Sequence, residues 1–290
     1  MPSLKDVKSK IAGVKKTSQI TKAMNMVAAA KLRGAQQKME NFRPYADQFN
    51  KAMTSLSGSM ETSQFPLMEV REVKSVELLV ITSDRGLCGS FNANIMKTAE
   101  RLMKKLEAEG KKVTLVCVGK KSRNFFRKSG KIRNSFLDIM GTFQMFNARE
   151  IAQDVAANFL AGECDQVQLV YGQFMSVAIQ RPNVGQLLPI QSVAGSEAAE
   201  AGSAVDYIYE PSPAEIMDVL LPLYLNVMVY RGMLEVGASE HAARMTAMDN
   251  ATNACKDIIK SLTLIYNKAR QSGITAELMD IVGGAEALKG

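Results

Sequence analysis

The chain has 290 residues, of which 47% are hydrophobic and 22% are charged, and its formal net charge is +7. These values are ordinary for a soluble protein with one large domain or two smaller ones. The longest apolar stretch, residues 219–230, is interrupted by Pro222 and Asn226 and is shorter than the roughly 20 residues of a bilayer span. Because the first residues are charged and lack an apolar core, we expect no signal peptide and a cytoplasmic location.

The positive charge is concentrated at the N-terminal end. Residues 1–60 contain eleven Lys and Arg against three Asp and Glu, and the remainder is close to neutral. A basic segment indicates an acidic protein, an anionic lipid or nucleic acid as partner, or simply a solvated helix face. Since no aromatic residue precedes Phe42, the segment lacks the stacking platforms of a single-strand-binding protein.

Residues 4–56 are predicted to form one long helix, which Pro44 interrupts or bends. Its apolar residues recur at spacings of three and four, a narrow stripe that is typical of a coiled coil rather than of a helix on a globular core. The stripe consists of Leu4, Val7, Ile11 and Val14, then Ile20, Met24 and Val27, and later Ala35, Met39 and Phe42.

The pattern changes after residues 57–73, a segment that contains clustered Gly, Ser and Pro. Three short runs rich in β-branched residues follow, and segments of helical character separate them. This alternation predicts a mostly parallel sheet with helices on its faces. Residues 176–190 have the alternation of an antiparallel hairpin or edge strand, and residues 194–204 resemble a loose linker. The three runs are residues 76–82, 113–119 and 166–174.

From Ser212 onward the chain is predicted to be helical again. A heptad seam runs along Met245, Met248, Thr252, Cys255, Ile259, Leu262, Tyr266 and Ala269, and His241 lies one step earlier. After a five-residue step across Gly273 the seam resumes at Ile274, Leu278, Ile281, Ala285 and Leu288. The simplest way to bury both terminal stripes is to pair the two helices as an antiparallel coiled coil, beyond which the longer C-terminal helix extends alone.

The predicted fold class is therefore α/β, with a long antiparallel coiled coil of the N- and C-terminal helices and a central Rossmann-like α/β domain. The expected boundaries are residues 1–58 for the N-terminal helix, 74–200 for the α/β domain and 206–290 for the C-terminal helix.

The turn after the first predicted strand, residues 83–92 with the sequence SDRGLCGSFN, has the position of a phosphate loop. It lacks the lysine and the glycine spacing of a Walker A loop, and the Gly-Lys pair at Gly119 also fails that pattern. Asp84 is better placed as a turn-capping carboxylate than as a catalytic one, and Ser90 or Asn92 is expected to cap the next helix. No C-x-x-C or other metal-ligand spacing is present, so the four cysteines are expected to be buried thiols. We expect no catalytic residue, no cofactor and no metal.

Three segments taken together resemble the γ subunits of bacterial F-type ATP synthases, and the resemblance covers the whole chain. They are ITKAMNMVAAAKLR at residues 20–33, SDRGLCGSFNANI at residues 83–95 and LIYNKARQSGITAELMDIVGGAEAL at residues 264–288. The resemblance implies a rotating central shaft inside an α3β3 hexamer, present in one copy per complex. It also implies a globular foot that contacts the ε subunit and the membrane ring of c subunits on the cytoplasmic face of the plasma membrane. Proton flow would be coupled to ATP synthesis or hydrolysis on the α and β subunits, so this chain would not be catalytic.

The same resemblance implies three sets of contact residues. Arg270, Gln271, Thr275 and Glu277 match positions that contact the catch loops of the β subunit. Lys22 and Met24 match the bearing region that faces the acidic lever arm of the β subunit, and Tyr207, Tyr209 and Glu210 match the foot region near ε and the c ring. Pro222 and Gly273 depart from the expected pattern: Pro222 is expected to kink the helix at the foot, and Gly273 is expected to lower the local stiffness of the shaft.

Two other classes of function remain as alternatives. A nucleotide-binding α/β enzyme with helical extensions requires a phosphate loop that the sequence does not contain. A non-rotary coiled-coil scaffold predicts a symmetric oligomer of this chain instead of a single copy. Neither nucleic-acid binding nor direct membrane insertion is expected, since membrane association would come through the complex.

Overall fold

The computed structural model describes residues 4–58, 65–190 and 213–287. Within them the helices are α1 (Leu4–Gly58), α2 (Phe91–Ala108), α3 (Lys120–Phe126), α4 (Met145–Leu160) and α5 (Pro213–Ala287). The strands are β1 (Ser75–Ile81), β2 (Lys112–Val118), β3 (Ile132–Phe136), β4 (Gln166–Phe174) and β5 (Gln180–Leu188). Two 3-10 turns lie at Pro66–Met68 and Arg127–Ser129.

The chain divides into two compact units. The first combines Met1–Ala28 with Met245–Gly290, and the second is Ala29–Arg244. Both α1 and α5 contribute to each unit. We call the first the helical unit and the second the α/β unit.

The α/β unit contains a five-stranded sheet in the order β3-β2-β1-β4-β5. The first four strands are parallel, as the alternation of strands and helices predicts, and β5 pairs with β4 in the antiparallel direction. Strand β3 was not predicted, because only its two end residues, Ile132 and Phe136, are large and apolar. It lies at the edge of the sheet, where a polar strand is tolerated.

Helices cover both faces of the sheet. Successive side chains of a strand point to opposite faces. On one face Glu77 contacts α4, and Ile81 packs beside Gly232 of α5. On the other face Gly172 lies against Phe91 and Ile95 of α2, and α3 packs beside α2. Strand β1 is buried from Val76 to Ile81, as expected for the central strand of a sheet covered on both sides.

In the helical unit, α1 and α5 form the predicted antiparallel pair. The Oγ1 atoms of Thr21 and Thr252 lie 2.7 Å apart, and Asn25 donates a hydrogen bond of 2.8 Å to the carbonyl oxygen of Met245. Thr252 also donates to the carbonyl oxygen of Met248. A buried polar layer of this kind favours one register, because a slip would leave its hydroxyl and amide groups without partners.

The buried side of α1 differs from the prediction in this unit. Thr21 and Ala28 are buried, whereas Ile20 and Val27 are 60% and 57% exposed. The predicted series Ile20, Met24 and Val27 is therefore wrong as a buried seam. Polar side chains such as Thr21 face α5 in place of this series, and their hydrogen bonds remove most of the cost of burying them.

The seam of α5 is confirmed from Met245 to Ala269, where each predicted residue is at least half-buried. The predicted continuation of the seam after a five-residue step is wrong. Gly273, four residues after Ala269, is the half-buried residue, whereas Ile274, Leu278 and Ile281 are 51%, 57% and 67% exposed. Residues 274–287 are exposed throughout. With Thr21 opposite Thr252, the first described turn of α1 lies near Ala269, so no described helix faces the later turns of α5.

Neither internal proline ends its helix. Pro44 lies within α1 and Pro222 within α5, and both helices continue on each side. Helix α5 is long and apolar enough to cross a membrane, but half of its most apolar 18-residue segment is buried within the chain. Core helices of soluble proteins show the same property.

Candidate functional site

Hydrogen bonds within the chain organise the turn between β1 and α2. Ser83 donates its backbone N–H to Oδ1 of Asn92 at 3.1 Å, and Asn92 donates through Nδ2 to Oγ of Ser83 at 2.8 Å. Asn92 therefore closes the turn instead of capping α2, and Ser90, the N-cap residue, makes no side-chain capping bond. The prediction that either residue caps the helix is wrong. Leu87 and Gly89 adopt φ values of 62° and 57°, in the left-handed region.

Asp84 binds three backbone amides, one at the start of α3 and two in the loop after β3. Oδ1 accepts hydrogen bonds from the N–H groups of Lys120 and Asp138 at 3.0 and 3.1 Å, and Oδ2 accepts one from Met140 at 3.0 Å. These donors follow β2 and β3, at the carboxyl edge where ligands of open α/β sheets bind. The Asp84 carboxylate thus occupies the amides that an anionic ligand would need. This confirms its predicted structural role.

The second turn with a Gly-Lys pair is closed against its neighbour. Gly119 has a φ of 90°, and a Cβ atom there would lie 2.3 Å from the carbonyl oxygen of Thr82. Thr82 also accepts a hydrogen bond from the N–H of Ser122 at 2.9 Å through Oγ1. The loop therefore packs on the adjacent strand end instead of wrapping around a phosphate.

Helix α5 holds the β1–α2 turn through Arg244. Its Nη2 and Nε atoms donate to the carbonyl oxygen of Gly86 at 3.0 and 3.3 Å. Nη2 also lies 2.6 Å from Oε1 of Glu240, one turn earlier on α5. Both charged side chains are mostly buried, and burial raises the pKa of Glu240 despite the neighbouring guanidinium. No sequence pattern indicates this contact, because it depends on how α5 lies across the sheet.

His241 stands in a positively charged environment next to this contact. Its Nδ1 atom is 3.5 Å from Nη1 of Arg244, and Lys31 and Arg85 add positive charge. Burial and these cations lower the pKa of His241 to about 4. The neutral imidazole is therefore the native form at neutral pH.

We expect the chain to lose stability as the pH falls from about 6.5 to about 4. In this window the unfolded chain binds a proton at His241 that the folded chain excludes, so protonation favours unfolding. This loss of stability is absent above about pH 6.5 and reaches about 1–3 kcal/mol near pH 4. Urea unfolding at pH 7, 5.5 and 4.5 should show a smaller decline for His241→Gln than for the unchanged chain. Equal declines in the two proteins would contradict the assignment.

The four residues predicted to contact catch loops are all exposed on α5 of the helical unit. At 100° per residue, Arg270 and Glu277 share one side of the helix and Gln271 and Thr275 share another. Between them run Ile274 and Leu278, so an apolar stripe is flanked by polar groups. Thr275 donates to the carbonyl oxygen of Gln271 at 3.0 Å. In the part of the chain that the structure describes, Arg270 and Glu277 form no ion pair.

A second exposed apolar surface lies on α1 around the predicted bearing residues. Lys22 is exposed and Met24 is half-buried, with Ile20 and Met26 exposed beside them. On α5 of the same unit, Leu264 is 71% exposed and Val282 is 60% exposed. Sequence reasoning missed these last two as surface residues, although their absence from the heptad seam was the available signal.

The remaining predictions concern the cysteines, the metal ligands and residues outside the described ranges. All four cysteines are buried and free, and burial raises the pKa of Cys117 to about 11 and that of Cys164 to about 12. No group of three potential metal ligands occurs in residues 4–58, 65–190 and 213–287. The predicted foot residues Tyr207, Tyr209 and Glu210 lie outside the described residues, as do the predicted linker at residues 194–204 and the seam residue Leu288.

Comparison with known proteins gives matches along the whole chain. The sequence model of the ATP synthase family matches residues 3–288. The chain is 66% identical over 290 residues to the ATP synthase gamma chain of Desulfotalea psychrophila, with 100% of both chains covered. The chain belongs to the ATP synthase gamma-chain family. The gamma chain of Nitratidesulfovibrio vulgaris strain Hildenborough is 55% identical over 292 residues, again with full coverage of both.

Chains in solved structures of mitochondrial ATP synthases share the fold. A chain from the central stalk and c-ring of the Tetrahymena thermophila mitochondrial ATP synthase is 27% identical, with a TM-score of 0.62 over 80% of this chain and 99% of that one. A chain from the Euglena gracilis mitochondrial ATP synthase has a TM-score of 0.69 at 22% identity, over 98% and 94% of the two chains. The predicted fold class, with paired terminal helices and a Rossmann-like α/β domain, is confirmed.

Proposed function

We propose that this chain is the central rotor shaft of a bacterial F-type ATP synthase. In this function its rotation couples proton flow through a membrane ring to ATP synthesis or hydrolysis on α3β3. The observation that carries the proposal is the full-length identity of 66% to a curated gamma chain. The coupling is mechanical, because one asymmetric element biases a multistate partner through differential contacts.

The surface of the helical unit supports a location inside a sleeve of other subunits. Large apolar side chains are exposed on both of its helices, including Ile20, Met26, Leu264 and Met279 at 59–71%. Exposed apolar surface of this extent marks an interface in a folded protein. Apolar contacts are non-directional, so they suit a surface that must turn against its neighbours.

Specific contacts are proposed at the end of α5. Arg270, Gln271, Thr275 and Glu277 contact the catch loops of a β subunit, where charge-assisted hydrogen bonds form in one rotary position and break in the next. Their side chains are exposed, and the guanidinium of Arg270 and the carboxylate of Glu277 are not used by ion pairs among the described residues. Lys22 and Met24 face the acidic lever arm of β.

The α/β unit is proposed as the foot of the rotor. It would contact the ε subunit and the c ring at the cytoplasmic face of the plasma membrane, partly through Tyr207, Tyr209 and Glu210. The chain itself would be non-catalytic, with nucleotide sites on α and β. The internal use of the amides around Asp84 supports this division, since a phosphate would have to displace a bound carboxylate.

Co-purification tests the proposal directly. A tag on this chain should recover α and β subunits in a 1:3:3 ratio, together with ATPase activity. Calorimetric titration of the isolated chain with ATP should give no stoichiometric binding. A chain that stays outside an otherwise complete α3β3 complex, or that binds ATP tightly alone, would contradict the proposal and favour the enzyme alternative.

A further inference from the structure

The outer surface of α2 and α3 carries an excess of positive charge. Residues 91–137 contain thirteen Lys and Arg and three Asp and Glu. Each of the three acids is already paired with a cation: Glu100 with Lys104, Glu107 with Lys131 and Glu109 with Lys111. The proposed rotor function assigns no role to this charge. The net charge of the chain does not indicate this excess, because acidic residues elsewhere in the sequence balance it.

The uncompensated cations lie on adjacent helices of one face. On α2 they are spaced four residues apart, so they project from one side of that helix. In the part of the chain that the structure describes, six exposed cations of this surface make no ion pair: Lys97, Arg101, Lys105, Arg123, Arg127 and Lys128. We call this set the α2–α3 basic surface.

An exposed aromatic side chain accompanies these cations on α3. Phe125 is 45% exposed, and its ring meets the buried ring of Phe126 edge to face, with centroids 4.9 Å apart. Phe126 is packed in the core of the α/β unit, and its contact with Phe125 restricts the orientation of the Phe125 ring. An exposed aromatic ring beside several cations is typical of elements that bind at the membrane interface.

The composition of the surface favours a diffuse anionic partner over a specific protein partner. Specific protein interfaces have an apolar core and are depleted of lysine. Here three of the six uncompensated cations are lysines, and Phe125 is the exposed large apolar side chain of α2 and α3. Anionic phospholipid headgroups match this pattern, because each basic residue near an anionic bilayer strengthens binding about fivefold without a fixed partner.

We propose that the α2–α3 basic surface binds anionic phospholipid headgroups. The contact is electrostatic, with a small apolar contribution from Phe125, and it weakens as salt screens the charges. It requires no particular lipid and no fixed register, so it is compatible with turning of the chain. The proposal stands apart from the rotor function, because none of the residues named in the proposed rotor contacts lies on this surface.

Vesicle co-sedimentation of the full chain tests the proposal. The probes are vesicles of phosphatidylcholine with 30% phosphatidylglycerol, vesicles of phosphatidylcholine alone, and soluble polyglutamate, all at about 0.1 M salt. The wild-type chain should bind the anionic vesicles alone. The triple variant Arg123→Gln, Arg127→Gln, Lys128→Gln should bind them about a hundredfold more weakly, since three basic residues are removed. Phe125→Ala should weaken binding several-fold at unchanged charge.

The matched control removes the same charge from the basic segment of α1. The variant Lys8→Gln, Lys15→Gln, Lys16→Gln removes three positive charges at exposed lysines, and it should weaken vesicle binding less than threefold. Circular dichroism should be unchanged for every variant, since the substituted side chains are exposed. An equal loss in the two triple variants, equal binding to both kinds of vesicle, or binding to polyglutamate but not to vesicles would overturn the proposal.

Discussion

The double variant Arg270→Ala, Glu277→Ala is expected to lower ATP synthesis by the assembled complex at least about tenfold. Each side chain is proposed to make a charge-assisted hydrogen bond to β in one rotary position, and such bonds contribute about 1.5–3 kcal/mol each. A loss of about 1.4 kcal/mol in the coupling step already gives a tenfold effect. Both side chains are exposed and form no ion pair among the described residues, so the stability of the chain should change by less than about 0.5 kcal/mol.

The control for this variant lies on the same helix. Lys260 and Asp257 form an exposed ion pair of 3.7 Å on α5, and their double alanine variant removes one charge of each sign. It should leave synthesis within about twofold of the wild-type rate, because exposed pairs of this kind contribute little. Membrane vesicles that carry each variant complex would be compared for proton-driven ATP synthesis and for assembly. Unchanged synthesis in the Arg270 and Glu277 variant would remove these residues from the proposed contact.

Replacing Arg133 with methionine is expected to destabilise the α/β unit by about 3–5 kcal/mol, because it leaves a buried carboxylate unpaired. Arg133 donates to both carboxylate oxygens of Glu77, through Nε at 2.6 Å and Nη2 at 3.1 Å, and it also binds Asp154 at 2.6 Å. The Glu77 side chain is fully buried in the central strand. Asn158 contributes one further hydrogen bond of 2.9 Å.

The pH dependence and a double variant separate this mechanism from a simple loss of packing. Burial raises the pKa of Glu77 even with Arg133 present, and removal of the guanidinium should raise it further. The unfavourable charge can then be neutralised by a proton, so the deficit of Arg133→Met should shrink as the pH falls from 8 to 5. The double variant Glu77→Met, Arg133→Met should recover most of the lost free energy of unfolding. A single variant with the same deficit at every pH, and a double variant that is no better, would contradict the charge-pair explanation.

The sequence predicted the fold most reliably where the apolar residues of one segment are covered by other segments of the same chain. The α5 seam from Met245 to Ala269 and the strands of the sheet follow heptad and β periodicity, because their partners lie within the same chain. The predicted α1 series failed at Ile20 and Val27. Periodicity reports which residues are apolar, but it does not report which molecule covers them.

The polar contacts were harder to predict, since they depend on three-dimensional packing. Asp84 was correctly placed as a structural carboxylate, but its three amide donors lie 36–56 residues away in the sequence. Asn92 closes the turn because Ser83 lies close enough to exchange hydrogen bonds with it. The proposed contact residues on α5 came from family resemblance, and the exposed stripe around Ile274 and Leu278 is the physical support for them.

Rotation of single complexes tests the rotor function most directly. The four native cysteines are buried, so a cysteine introduced at the exposed residue Glu163 would carry a gold rod on the α/β unit while α and β are fixed to a surface. With ATP, the rod should make complete turns in one direction, with pauses at three angles that match the three β subunits, and it should stop when ATP is removed. A rod that keeps one orientation while the same complexes hydrolyse ATP would contradict the proposed function.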